Sequence, residues 1–233
     1  VYLEENSGKQ YSGAALMNAG IPLLPFTREY EAYQFSFVEL KEAKRLYEKV
    51  QQWRQKTNDG ERVVVSIYGG SGSGKTTMAT ALQQYFLNDG VGCYLLSGDD
   101  YPHRIPKRND EERMRVYKTA GEEGLRGYLG TPQEIDFNRI NEVLAAFHEG
   151  NDQITLKHMG REDDDISYEE TDFSGISVML LEWTHGGSEY VNGVDLPIFL
   201  ESSPEETKAR RIRRNRDENA ASPFICRVVE LEQ

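Results

Sequence analysis

Hydrophobic positions along the chain change their period near residue 60. Residues 1–35 show no sustained period, and the two prolines of "GIPLLPF" would break any helix there. Beyond them Leu40, Ala43, Tyr47, Val50 and Trp53 recur at three- and four-residue spacing, which predicts one amphipathic helix. Ser36 and Glu39 have the spacing of a capping box at its start, and Asn58-Asp59-Gly60 supplies a stop. Its apolar stripe is expected to pack on the rest of the chain in preference to serving a partner.

From Arg62 onward short apolar runs alternate with helical ones. "RVVVSIY" (62–68), "VGCYLLS" (91–97), "ISVMLLEW" (176–183) and "LPIFLES" (196–202) predict core strands, and "QITLKHM" (153–159) a short one. "KTTMATALQQYFLNDG" (75–90) and "DFNRINEVLAAFHEG" (136–150) predict helices. "SPEETKARRIRRNRDEN" (203–219) predicts another, opened by a serine cap with Pro204 at the first helical position. "REDDDISYEE" reads as a solvated acidic run. This alternation predicts an α/β fold with a mostly parallel sheet covered by helices on both faces. The expected division is an N-terminal helical extension over 1–60 and a main domain over 61–233.

Chemistry enters with the glycines. Gly69, Gly74, Lys75 and Thr76 satisfy G-x-x-x-x-G-K-[ST] between a predicted strand and a predicted helix, the context in which this spacing becomes a phosphate cradle. Without a Cβ, Gly70, Gly72 and Gly74 let the N–H groups of Ser71, Ser73, Lys75, Thr76 and Thr77 turn inward around a phosphate. The following helix adds its positive end. Lys75 would reach the β- and γ-phosphates of ATP, and the Thr76 hydroxyl would be a Mg²⁺ ligand. A P-loop NTPase fold follows.

What happens to the nucleotide is decided elsewhere. The guanine-reading N-K-x-D is absent, and "DFSG" (172–175) fits D-x-x-G only ahead of its strand. "LLSGDDYPHR" instead places Asp99 and Asp100 just past the end of the strand that follows the loop's helix, where open α/β sheets bind ligands. A carboxylate there can orient an attacking hydroxyl and accept its proton. Asp99 is therefore the candidate base and a metal neighbour, and Glu182, also at a strand end, a candidate for Mg²⁺ or its water shell.

Composition narrows the classes. The 233 residues carry a formal charge of −12, with 38% apolar and 28% charged residues. This describes a soluble protein, expected in the cytoplasm, without a membrane span, and with no basic face for nucleic acid. Only two cysteines occur, Cys93 and Cys226, without metal-ligand spacing. Against the acidic background "KARRIRRNR" (208–216) holds six basic residues in nine. Arg210 and Arg214, four apart on one helical face, could neutralise charge on a transferring phosphoryl group while closing out water.

In order and approximate spacing, "GGSGSGKTT", "SGDDYP", "TPQEIDFNRI", "VMLLEW" and "VDLPIFLESSPEETKARRIRRNRD" resemble the uridine kinase, phosphoribulokinase and pantothenate kinase superfamily of P-loop kinases, from Arg62 to about Glu230. The resemblance implies that Asp99 is the general base, that Glu182 sits by the metal, and that arginines of the late helix, over about 204–217, form a lid. Two grips differ. Uridine kinases carry Asp-His-Pro where this chain has Gly130-Thr131-Pro132, and Pro-x-Tyr-Asp where it has Lys157-His158-Met159-Gly160.

Uridine is thereby disfavoured, and the nearby Arg104, Lys107, Arg108, Lys157, His158 and Arg161 point to a small anionic acceptor. Tyr101 either lines the acceptor pocket or packs in the core, and His158 and His185 stand between site and surface. The expected activity is transfer of the γ-phosphoryl group of ATP to an alcohol. The alternative is a P-loop nucleotide switch controlling a protein partner. Assembly as a homo-oligomer is left open.

Overall fold

The computed structural model describes residues 2–3, 10–11, 37–57, 61–160, 162, 165–202 and 223–231. In chain order the elements are β1 (Tyr2–Leu3), β2 (Gln10–Tyr11), α1 (Phe37–Thr57), β3 (Val63–Tyr68), α2 (Lys75–Asn88) and β4 (Gly92–Ser97). A 3-10 turn (Gly98–Asp100) leads to α3 (Pro106–Arg126), α4 (Phe137–His148), β5 (Gln153–Met159), β6 (Ile166–Asp172), β7 (Ile176–Glu182), β8 (Leu196–Phe199) and α5 (Pro223–Leu231). Four strands form one sheet in the order β4-β7-β3-β8, and β3 pairs with β8 in parallel, Val65 opposite Leu196 through Tyr68 opposite Phe199. The α/β class with a parallel sheet is as the alternation predicts. Among the described residues no helix is long and apolar enough to cross a membrane.

Contacts divide the chain into two compact units. One comprises Val1–Val63, Thr76–Leu95 and Gly175–Leu180; the other comprises Val64–Lys75, Leu96–Ser174 and Leu181–Gln233. In the first, the stripe of α1 packs on α2. Ala43, Tyr47 and Val50 are buried, and the Tyr47 ring lies 5.5 Å from Tyr85 and 5.0 Å from Phe86. The Tyr47 hydroxyl donates to the Asp89 carboxylate. Burial, with this bond, pushes the Tyr47 pKa up to about 12.

The second unit contains the phosphate loop and everything that surrounds Asp99. Val64, Val65, Ser66 and Ile67 of β3 are fully buried, which is why that strand reads as an unbroken β-branched run. α4 turns its Phe137, Ile140, Val143, Leu144 and Phe147 stripe inward, and Asp136 caps it by accepting from the Arg139 N–H at 3.1 Å. β5 stands apart from the parallel sheet in an antiparallel ribbon with β6, from Gln153 opposite Asp172 to Met159 opposite Ile166. The acidic run expected only to be solvated thus contributes to a strand, though an exposed one. α3 and α5 are helices that the hydrophobic pattern did not indicate, and the lid helix expected over 204–217 lies outside the described residues.

Candidate active site

Between β3 and α2 the chain makes the turn that its glycines foreshadow. Gly69, Gly72 and Gly74 have φ of +149°, +87° and +96°. At Gly69 a Cβ would run into the Leu200 carbonyl of the strand end beside it, so bulk there is excluded by contact as well as by dihedral. The Ser73 N–H donates back to the Gly70 carbonyl at 3.1 Å, closing the turn. Lys75 is buried, and its ammonium donates to the Gly69 and Gly70 carbonyls at 3.0 Å each, which holds the positive charge inside the loop. α2 starts at this lysine with no acidic residue in its first turn, leaving its positive end uncompensated. Thr76 and Thr77 form the rest of that turn, both half-buried.

Asp99 lies in the 3-10 turn after β4, facing a cavity of about 280 Å³. Its surface reaches solvent through the open side of that cavity, while protein atoms crowd it elsewhere. Desolvation accordingly raises its pKa, and the charges of Lys75 and Arg113 pull it back down. Gly98 gives the turn its room, because any Cβ there would strike the Trp183 indole. Asp100 points the other way and accepts from the Met159 N–H at 3.2 Å, which ties the end of β5 to the turn.

The cavity wall opposite Asp99 comes from α3 and from the loop before α4. Glu134 is fully buried, and three donors converge on its carboxylate: Arg113 Nε at 2.5 Å, Asn109 Nδ2 at 2.9 Å and the Gly130 N–H at 2.7 Å. Arg113 also pairs with Asp110 at 3.7 Å. His185 closes the wall beside Gly130, whose φ is +67°; a Cβ on Gly130 would come within 2.8 Å of His185 Nδ1. Burial lowers the His185 pKa to about 4; Glu134 works against this, and Arg113 and Lys75 add to it, so the ring is neutral near pH 7.

Of the residues singled out from sequence, Ser71 and Arg104 line the Asp99 cavity, and the charge of Lys75 acts on Asp99. Tyr101 is completely buried and is not among the residues lining that cavity. His158 is likewise not a wall residue; its neighbour Met159 is. Glu182 is buried at the end of β7, two residues before the lining residue Thr184. Arg161, Arg210 and Arg214 lie outside the described residues.

Two of the cations behind the expectation of an anionic acceptor bond to the protein itself: Arg104 donates to the Tyr128 hydroxyl at 3.2 Å, and Lys157 to the Pro102 carbonyl at 2.6 Å. Asn109, Arg113 and Glu134 were not anticipated. A buried glutamate within reach of a glycine turn leaves no local sequence signal, because its partners on α3 are twenty-odd residues away.

A P-loop followed by a strand-end carboxylate in an open cavity defines a P-loop phosphotransferase class of fold. Residues 64–222 match the Phosphoribulokinase / Uridine kinase family, and the chain belongs to that family. Over all 233 residues it is 83% identical to the bifunctional alpha-galactosidase/sucrose kinase AgaSK of Mediterraneibacter gnavus, covering 100% of this chain and 25% of that protein. The chain thus spans about a quarter of that relative's length. Among solved structures, a protein described as a fructose transport system kinase from Silicibacter aligns with a TM-score of 0.58 at 19% identity, over 81% of this chain and 93% of that one. The phosphoribulokinase of Rhodobacter spheroides aligns at 0.55 and 18% identity, over 73% and 62%. At these identities the two structures speak for the fold.

Proposed function

We propose that this chain is an ATP-dependent kinase that phosphorylates a hydroxyl of a neutral sugar, with sucrose as the first acceptor to test. The observation that carries the reading is the Asp99 carboxylate, set in an open cavity with the charge of Lys75 acting on it from the phosphate loop. The relative that is 83% identical, whose name includes sucrose kinase, supports the choice of acceptor. The balance of the wall supports it too: Asp99, Asp110 and Glu134 face Arg104 and Arg113, so the lining is net negative and disfavours an anion. A neutral acceptor therefore replaces the anionic one expected from sequence.

In this reading Asp99 orients the acceptor hydroxyl and takes its proton as the new O–P bond forms. Lys75 leaves the Gly69 and Gly70 carbonyls for the β- and γ-phosphates, and the loop N–H groups hold the triphosphate. The half-buried Thr76 hydroxyl, the Asp99 carboxylate and Glu182 are suited to Mg²⁺, which binds few protein oxygens directly and keeps several waters. Among the described residues no group of three or more His, Cys, Asp or Glu side chains is placed to hold a metal ion. The metal, when bound, supplies charge neutralisation on the phosphates. Arg210 and Arg214 are assigned to the lid and Arg104 to the cavity wall. Residues 61–233 form the catalytic domain, 1–60 its extension, and the cytoplasm, where ATP is abundant, is the working compartment.

A coupled ADP-release assay tests this with ATP, Mg²⁺ and a panel of sucrose, fructose, glucose, glycerate and sugar phosphates. Sucrose or another neutral sugar should accelerate ADP release well above the acceptor-free rate. Acceleration by none of the neutral sugars would end the proposal.

A further inference from the structure

Two aspartates stand side by side in the turn after β4, and the kinase reading uses one of them. Adjacent side chains leave a 3-10 turn about 120° apart, so Asp99 and Asp100 serve different spaces. Asp99 lines the cavity; Asp100 does not, and its Oδ1 accepts from the Met159 N–H at 3.2 Å. Met159 ends β5 and does line the cavity. The segment after the two aspartates is held from two sides. On one side backbone meets backbone: the Asp136 N–H donates to the Tyr101 carbonyl and the His103 N–H to the Glu134 carbonyl, both at 2.9 Å. On the side of β5 the bonds come from side chains, Asp100 to Met159 and the Lys157 ammonium to the Pro102 carbonyl at 2.6 Å. Lys157 and Met159, two apart in a strand, stand on one face of it, and Lys157 is only 4% exposed. Ile154 and Leu156 bury the earlier half of β5, whereas its ribbon partner β6 is exposed from Ser167 to Glu170 and offers little packing. The Met159 end of the strand is therefore placed by its ties to the turn.

We propose that Asp100 is a positioning residue of the acceptor site: by holding the Met159 N–H, with Lys157 as a second tie, it fixes the wall contributed by β5 against the turn that carries Asp99. The inference rests on the kinase reading above and adds what keeps the acceptor in register with its base. Asp100 touches neither acceptor nor ATP and acts through Met159. Met159, with Pro102, Ile135 and Trp183, is the apolar part of the lining, against which the C–H face of a sugar packs while one hydroxyl meets Asp99. A site is only as precise as the contacts that lock its walls.

The test reads the KM for acceptor and the KM for ATP separately in the ADP-release assay, with the full chain and the best neutral-sugar acceptor of the panel. Asp100→Ala leaves the Met159 N–H without its carboxylate and should raise the acceptor KM by about 10- to 100-fold. The KM for ATP should move less than about 3-fold, because neither tie involves the phosphate loop. Asp100→Asn keeps a carbonyl oxygen for the same N–H and should bring the acceptor KM back to within about 5-fold of the wild type. Met159→Ala should raise the acceptor KM by itself, and adding Asp100→Ala to it should cost less than about 3-fold more, because the side chain that Asp100 positions is already gone. Should Asp100→Ala fail to fold, Lys157→Met removes the second tie and is read by the same split between the two KM values and the same cycle with Met159→Ala. An unmoved acceptor KM, an asparagine variant as impaired as the alanine one, a KM for ATP that rises in step, or full additivity with Met159→Ala overturns the assignment while the kinase reading stands. A wild type that no sugar accelerates overturns both.

Discussion

Replacing Gly130 by alanine adds one methyl group where the fold leaves no room for it. Two costs can be worked from the geometry. The backbone at this position has φ of +67°, and a residue with a Cβ held there costs about 1 to 2 kcal/mol. The new Cβ would also lie 2.8 Å from Nδ1 and 2.9 Å from Cε1 of His185, inside van der Waals contact. Relieving that overlap means moving the ring from its edge contact with Trp183, centroids 5.5 Å apart, at about 1 to 3 kcal/mol for an overpacked site. The sum, roughly 2 to 5 kcal/mol, corresponds to a fall in Tm of about 4 to 20 °C for a chain of this size.

Thermal unfolding followed by circular dichroism measures the total, and a double-mutant cycle separates its parts. In a His185→Ala background the steric part disappears and the dihedral part stays, so Gly130→Ala should then cost only about 1 to 2 kcal/mol. An equal penalty in both backgrounds would show that His185 does not press on this turn. No penalty in either would refute the left-handed geometry as well.

The remaining expectations concern the carboxylates and the histidine. Asp99→Asn should lower kcat by about 10²- to 10⁴-fold, with ATP binding, followed by nucleotide titration, mostly kept; unchanged turnover removes Asp99 as the base. Because desolvation raises the Asp99 pKa, activity should fall on acidification at a pH above the usual carboxylate range. Arg113→Met, which removes a charge that lowers this pKa, should move that limb of the kcat/KM profile to higher pH. Glu134→Ala leaves Arg113, Asn109 and the Gly130 N–H without their shared acceptor and should cost about 3 to 5 kcal/mol in urea unfolding; a loss under about 1 kcal/mol would show the cluster to be dispensable. For His185 the folded pKa of about 4 lies below the ordinary 6.5, so its contribution is complete above 6.5 and is lost as pH falls toward 4. Removing the histidine should therefore flatten part of the decline in stability between pH 6.5 and 4, by about 2 to 3 kcal/mol.

Two elements, α3 of the site wall and the exposed strand β6, were invisible to hydrophobic periodicity, each for its own reason. α3 buries little apolar surface; Asn109 and Leu125 are its buried residues, and its inward positions Asn109 and Arg113 face a polar cavity. A helix whose inner face is polar shows no apolar stripe, and Gly121, at φ +68°, interrupts the period further. β6 fails differently, with Ser167 to Glu170 exposed one after another and no alternation between faces. The anionic-acceptor expectation came from counting cations, and a count carries no pairings. Arg104 and Lys157 are cationic in the sequence and hydrogen-bonded within the fold.

The sequence by itself determined the phosphate cradle, the strand-end aspartate and the parallel α/β class. Each rests on neighbours along the chain: glycine dihedrals, a lysine opening a helix, β-branched runs at fixed spacing. Only the tertiary structure decided what lines the Asp99 cavity. Glu134 gathers Asn109 and Arg113 from a helix more than twenty residues earlier, and Gly130 makes room for His185 from a loop more than fifty residues later. Such contacts depend on how burial brings distant segments together and which polar atoms must then be satisfied, and no local period encodes that.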